Sequence, residues 1–370
     1  MNDRLGLSFV QASFLLVACV VTGGLAALVA VLLCYFLLNF GGEEPADKHG
    51  ISSMPAVRIG GVLIVGYLVL NLMFHRYSLS LPTLNEQSAR VLAGALPFFV
   101  LGLFEDLRAV LSAQFRFVAM FMMAAGLLLL EPSFILLPLN HRLLDTVIFN
   151  HYWIATIFTV LCLTFLPNAF NTADGANGLV SGLSLVAAVL LGSVAPGEMV
   201  GFLNSVAVAC LLFLIYNLST GRFFLGDGGA YFLGALLGLS IIVVSNTTQN
   251  SVWFLAALVF YPVADLAFSM ARRLAAGRAP FSADDEHLHN LLFATVTDIV
   301  RVPKYANTLT GVIIVLVFGG STLLVYGLNL IEPNSDTWLS VFVVFWCIYV
   351  LSWLGLHKRR NVINPLASTP

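Results

Sequence analysis

The chain has 370 residues, 59% hydrophobic and only 10% charged, whereas soluble domains carry about 45–50% apolar and about 25% charged residues; this excludes a water-soluble enzyme. A net charge of −2, with no dense basic block, gives no support to nucleic-acid binding. The apolar residues form long runs instead of alternating ten-residue strand patterns, so helices and not a barrel satisfy the backbone in lipid.

The first run, about residues 8–40, is too long for a signal-peptide core, lacks a convincing cleavage site and reads as a retained helix. Runs of helix-spanning length begin near residues 10, 59, 89, 115, 151, 179, 199, 229, 252, 307 and 338. They predict an all-α, polytopic integral membrane protein with about 11 transmembrane helices. Cys19, Cys34, Cys162, Cys210 and Cys347 all fall inside apolar runs, without CxxC spacing, and read as small hydrophobes. No fixed repeat or low-complexity linker divides the chain, which predicts one domain over 1–370 with a long cytoplasmic loop at about 272–305.

With the N-terminus outside and the C-terminus cytoplasmic, 13 of the 17 Lys and Arg residues fall on the cytoplasmic side, leaving Arg4, Arg76, Arg90 and Arg142 outside. The positive-inside rule selects this orientation. The same division sends Glu105, Asp106, the stripe Asn168, Asn171, Asp174 and Asn177, then Asp227 and the 284–289 segment to the cytoplasmic face. An active site on that face is the expectation.

PAVRIGG, residues 55–61, offers Arg58 before a glycine pair, suited to a lipid headgroup or a phosphate. FEDLRAVLSAQFR, residues 104–116, puts Glu105 and Asp106 at a helix end, where Arg108 is a candidate intrahelical partner for Glu105. Ionisable groups at membrane depth are also functional candidates. NAFNTADGANGL, residues 168–179, spaces four polar groups by three, near one side of a helix end or tight helical turn. In GRFFLGDGGAYFLG, residues 221–234, Asp227 stands among glycines where a helix begins, as a cap or as a Mg²⁺ ligand beside a phosphate. Asp265 lies seven residues before Arg272, near the same helical face, and reads as a structural ion pair. In DDEHLHNLL, residues 284–292, His287 and His289 share a side only where the chain is extended. No HExxH, Cys pair or third ligand accompanies them, which counts against a zinc-dependent hydrolase. Oxygen ligands, glycine-rich turns and a basic loop gathered at one face fit a diphosphate with Mg²⁺ better than a permeation path.

PAVRIGG, GLFEDLRAVLSAQFR, NAFNTADGANGL, FFLGDGGAYFLG and PVADLAFSMARRLAAGRAPFSADDEHLHNLL, in that order, resemble the polyprenyl-phosphate N-acetylhexosamine-1-phosphate transferases. The resemblance implies transfer of sugar-1-phosphate from UDP-GlcNAc or a related UDP-N-acetylhexosamine to undecaprenyl phosphate in a bacterial inner membrane, with release of UMP. It implies Mg²⁺, or Mn²⁺, on Asp227 and Asn171, with Asp106 and Glu105 orienting or deprotonating the lipid phosphate or completing the metal shell. It assigns Asn168, Asp174 and Asn177 to the nucleotide or its loop, His287, His289 and Arg278 to the diphosphate or amino sugar, and leaves Arg58 with a phosphate. Membrane lipids and a second copy of the chain are further partners it allows. Glu105 replaces the first Asp of an Asp-Asp pair, Asn177 an Asp, Asn290 a third His, and Gln114 an often basic residue. The lack of the triple-His motif favours an enzyme initiating O-antigen or another surface glycan over the muramyl-pentapeptide branch. The competing expectation is a lipid-linked-sugar carrier built on a degenerate copy of the scaffold.

Overall fold

The computed structural model describes residues 58, 60–75, 86–139, 141–220, 224–280, 282 and 284–363. The expected first helix near 8–40, most of the first inner loop, Arg222 and the end of the C-terminal tail lie outside the described residues. Within them the chain is all-helical. In order come α1 (Gly60–His75), α2 (Glu86–Arg108), α3 (Ala113–Leu130), the short α4 (Arg142–Ile148), α5 (Tyr152–Ala173), α6 (Leu179–Val194), α7 (Gly197–Thr220) and α8 (Gly226–Thr247). They are followed by α9 (Val252–Leu258), α10 (Phe260–Ala275), α11 (Leu288–Val300), α12 (Pro303–Ile314), a π-helical turn (Val315–Gly320), α13 (Ser321–Gly327) and α14 (Trp338–Ile363). Among the described residues, 7 helices are long and apolar enough to cross a membrane, or 8 if α9 and α10 count as one broken span.

α8 is the axis of the bundle. Its sequence is apolar on every side, as a helix surrounded by other helices requires, and α1, α2, α5 and α6 pack around it. Small residues set how closely they approach. A Cβ on Gly61 would stand 2.4 Å from Gly229 of α8, so α1 and α8 meet backbone to backbone. The outer helices α3 and α14 expose Val118, Met122, Leu129, Val344, Leu351 and Leu354, which suits contact with lipid chains.

The structure bears on three sequence expectations here. The run beginning near 252 is not a straight helix: it breaks at Val259, and α9 and α10 meet at 82°. Pro262, lacking an N–H, fits the first turn of a new helix but not the interior of a continuous one. Second, the stripe does lie at a helix end: α5 runs through Pro167 to Ala173, so Asn168 and Asn171 are helical and Asp174 to Gly178 form the turn. Third, the segment expected as a long loop contains α11, leaving irregular chain mainly between Ala275 and Leu288.

Candidate functional site

The N-terminus of α8 begins with Gly226 at φ +76°, where its would-be Cβ falls 1.9 Å from the Arg58 carbonyl oxygen. Only glycine takes that conformation and that contact without strain. The preceding strand of chain is tied to α1, because Gly60 and Gly61 donate their N–H groups to Phe224 and Leu225 at 3.0 and 2.8 Å. Asp106, at the end of α2, closes the arrangement: its Oδ1 accepts the Asp227 N–H at 2.9 Å and its Oδ2 the Gly228 N–H at 2.8 Å. Two donors that a helix start leaves without an intrahelical acceptor are thus met by one carboxylate. Gly226→Ala is therefore expected to lower the thermal midpoint and to disturb the site together. The check is a melt of the detergent-solubilised protein, where an unchanged midpoint would contradict the close approach.

Asp227 points its Oδ2 at Arg116 of α3, with Nη1 at 2.5 Å, and accepts the Tyr231 hydroxyl at 3.4 Å. Tyr231 in turn accepts a hydrogen bond from Asn171 Nδ2 at 3.3 Å, which links the α5 stripe to Asp227 through one buried phenol. Glu105 does not pair with Arg108: it accepts the Leu111 N–H at 2.9 Å, holding the α2–α3 turn, and stands 3.9 Å from Arg116. The Arg58 charge acts on Asp106, Asp174 and Asp227 alike. Four carboxylates, Glu105, Asp106, Asp174 and Asp227, thus share one corner with two guanidiniums, Arg58 and Arg116.

The stripe divides by function. Asn168 turns back on its own helix, donating to the Thr164 carbonyl at 2.8 Å and to Met120 sulfur. Asn171 faces Tyr231. Asp174 caps the end of α5, and burial pushes its carboxyl up to about 7 although Arg58 opposes this. Asn177 is buried against α12: its N–H goes to Asn307 Oδ1 at 2.6 Å and its Nδ2 to Thr308 at 3.4 Å.

The histidines sit on the far wall. His287 is the extended residue before α11 and His289 lies in its first turn, so the chain turns there and the two rings stack, 12° from parallel with centroids 5.6 Å apart. His289 Nε2 lies against Gly175, where a Cβ would be 2.3 Å away, which places this ring beside Asp174. Asp265 is fully buried and does not pair with Arg272. It meets His287 Nδ1 at 2.7 Å, because Arg272 turns instead to Asp284 and Glu286 and stacks over Trp353. Arg278 is exposed on the loop after α10.

The structure therefore gathers Arg58, Glu105, Asp106, Asn171, Asp174, Asp227 and His289 around one end of the bundle, while Asn168 is taken up by Thr164 and Met120 and Asn177 by Asn307 and Thr308 of α12. Arg116 and Tyr231 belong to the same corner and were not singled out from sequence. Tyr231 lies four residues after Asp227, one helical turn on and on the same face, a spacing that marks it. Arg116 carries no such mark, since only the fold of the α2–α3 turn brings it across to α8.

Mg²⁺ typically takes one or two carboxylates, with water and substrate phosphates filling the other positions. Among the described residues no group of three or more His, Cys, Asp or Glu side chains could hold a metal alone. Asp227 and Asn171, joined through Tyr231 in a carboxylate-rich corner, fit such a substrate-completed site. Both side-chain bonds to Asp227 use Oδ2.

Residues 88–245 match the family model of glycosyl transferase family 4. The undecaprenyl-phosphate alpha-N-acetylglucosaminyl 1-phosphate transferase of Thermotoga maritima is 26% identical over 206 residues, 55% of this chain and 61% of that protein, so the chain spans less than two thirds of this relative. A probable undecaprenyl-phosphate N-acetylglucosaminyl 1-phosphate transferase of Bacillus subtilis is 26% identical over 83% of this chain and 82% of its own length. A phospho-N-acetylmuramoyl-pentapeptide-transferase of Moorella thermoacetica is 38% identical, over 25% of this chain and 30% of that protein.

Proposed function

We propose that this chain, whose residues 88–245 match the family model of glycosyl transferase family 4, transfers N-acetylhexosamine-1-phosphate from a UDP-sugar, UDP-GlcNAc or a close relative, to undecaprenyl phosphate. UMP leaves, and the product initiates a lipid-linked surface glycan such as O-antigen. The observation that carries this reading is the corner where Asp227, Asp106, Arg116 and Arg58 meet at one end of an apolar bundle. That end would face the cytoplasm of a bacterial inner membrane, where the water-soluble donor is found and the lipid acceptor is within reach.

Phosphoryl transfer rests on positioning and charge stabilisation more than on covalent help from the protein. An oxygen of the lipid phosphate attacks the β-phosphorus of the UDP-sugar in line, and the bond from that phosphorus to the UMP oxygen breaks. A phosphomonoester has its second pKa near about 6, so the acceptor needs little deprotonation near neutral pH. Asp227 and Asn171 would hold Mg²⁺, or Mn²⁺, which when bound neutralises the diphosphate charge. Arg116 and Arg58 supply the remaining positive charge, and Arg116 keeps Asp227 aligned. Asp106 sets the start of α8, and a carboxylate has about four lone-pair sites, so it also has acceptor capacity for a proton still carried by the lipid phosphate or for the metal's water. Glu105 shapes the turn that delivers Arg116. Asp174, beside His289, lies where the nucleotide would rest, and His287, His289 and, from the exposed loop after α10, Arg278 would contact the diphosphate and sugar.

The test is UMP release by the purified protein in detergent with undecaprenyl phosphate and a panel of UDP-sugars. Release is expected with one N-acetylhexosamine donor, only in the presence of lipid, falling to background with EDTA and returning with added Mg²⁺. UMP formed equally without lipid would contradict the transfer.

A further inference from the structure

Outside the residues that match the family model, a buried polar cluster lies between α10, α11 and α14. Asp265 is its centre, 0% exposed beside His287 at 8% and His289 at 3%. Its Oδ2 meets His287 Nδ1 at 2.7 Å, and its Oδ1 accepts the Leu288 N–H at 3.0 Å and the Tyr349 hydroxyl of α14 at 2.8 Å. The break at Val259 starts α10 at an angle that brings Asp265 to this point. α14 holds the same segment a second time, since Trp353 Nε1 donates to the Glu286 carbonyl at 2.8 Å.

The orientation of the rings gives the cluster a direction. Both Nδ1 atoms turn toward Asp265 Oδ2, at 2.7 Å for His287 and 3.8 Å for His289. The rings are nearly parallel, 12° apart with centroids 5.6 Å apart. His289 Nε2 reaches Gly175, next to Asp174. In His287 the ring edge carrying Nε2 is the one turned away from the Asp265 carboxylate that holds Nδ1.

We propose that Asp265 and Tyr349 are positioning residues that hold His287 as a doubly protonated ring, with Nδ1–H on the carboxylate and Nε2–H presented to the diphosphate of the nucleotide sugar. This rests on the transferase reading for its ligand, but not for its geometry. A ring bonded to Asp265 through Nδ1–H offers a second donor only while it is an imidazolium. The surrounding charges support that form. Burial opposes the charge on His287, but the Asp265 carboxylate outweighs it and raises the ring above the ordinary histidine value, with Asp284 adding to this and Arg273 opposing it. Burial instead pushes His289 down to about 4, so it stays neutral beside its partner and hydrogen-bonds the Tyr261 hydroxyl. The groups facing His287 are thus Asp265 and Arg273 from α10, Asp284 from the loop and His289 from α11, while Tyr349 of α14 reaches it through Asp265.

The experiment follows the histidine ring nitrogens by NMR in full-length, ¹⁵N-histidine-labelled protein in detergent, with His287→Gln to assign the signals. UMP release is measured against pH in the same samples. The sign follows from the raised value: the imidazolium is present below the folded pKa and lost as pH rises through it. Asp265→Asn is expected to move the His287 midpoint down by at least about one unit, and so to cut turnover about tenfold more at the alkaline end than at the acid end. Tyr349→Phe, the variant less prone to misfolding, keeps the carboxylate charge but frees Asp265 from one of its holders, and is expected to shift both midpoints together by less. A His287 midpoint unchanged in folded Tyr349→Phe and Asp265→Asn would overturn the proposal, as would lower turnover with an unshifted pH profile. Should the wild type release no UMP, the transferase reading fails, while the ring titration still decides whether Asp265 and Tyr349 hold His287 charged.

Discussion

Asp227→Ala is expected to reduce UMP release by about 10²–10³-fold, the range seen when a group that stabilises transition-state charge is removed, while the protein stays folded. The fold should survive because the hydrogen bonds that set the start of α8 run from the Asp227 and Gly228 backbone N–H groups to Asp106, and alanine keeps both donors. The side chain lost is the one that holds Arg116 and Tyr231 and that would bind the metal. Turnover and a thermal melt measured on the same preparation check the pair of claims. Activity retained within about tenfold would remove Asp227 from the chemistry.

Asp106→Ala should differ in kind. It leaves the Asp227 and Gly228 N–H groups without their acceptor, and an unmet buried donor costs about 1–3 kcal/mol. A loss of about 2 kcal/mol or more in stability is therefore expected, together with a fall in turnover of about 10²-fold, because a displacement on the order of 1 Å at Asp227 spoils alignment. Asp106→Asn keeps one acceptor oxygen and should recover part of the stability but little of the turnover. The two variants of neighbouring carboxylates are thus separable: one loses activity alone, the other activity and stability together. An Asp106→Ala protein as stable as the wild type would show that the cap contributes nothing and that the helix start is held by Gly60, Gly61 and Arg58.

The elements legible in the sequence were those governed by apolar length. The runs near 59, 89, 115, 151, 179, 199, 229, 307 and 338 all correspond to helices, since nothing but burial in lipid or protein accounts for them. The break at Val259 was not legible from hydropathy, which is the same on either side; Pro262 was the local sign, and only the packing of α9 against α14 and α6 decides the bend. The site was legible as a set of residue types at one face and not as a set of bonds. Asp106 reads as a candidate base or metal ligand from its position, yet its oxygens serve the start of a helix 121 residues away in the chain. Asp265 reads as a partner of Arg272 by helical spacing, but Asp284 and Glu286 come from a loop and take that arginine. Local periodicity identifies neighbours along a helix; it carries no information about a competitor supplied by another segment.

On the proposed reading this corner joins a sugar phosphate to a lipid phosphate. This is tested most directly by incubating the purified protein with undecaprenyl phosphate, UDP-GlcNAc and Mg²⁺ and examining the extracted lipid by mass spectrometry, repeated with the other UDP-N-acetylhexosamines. The expected product is a lipid that has gained one N-acetylhexosamine phosphate, formed in step with UMP and missing with Asp227→Ala. Unchanged undecaprenyl phosphate with every donor, from folded protein that still binds a lipid-linked sugar, would contradict it and make the protein a carrier.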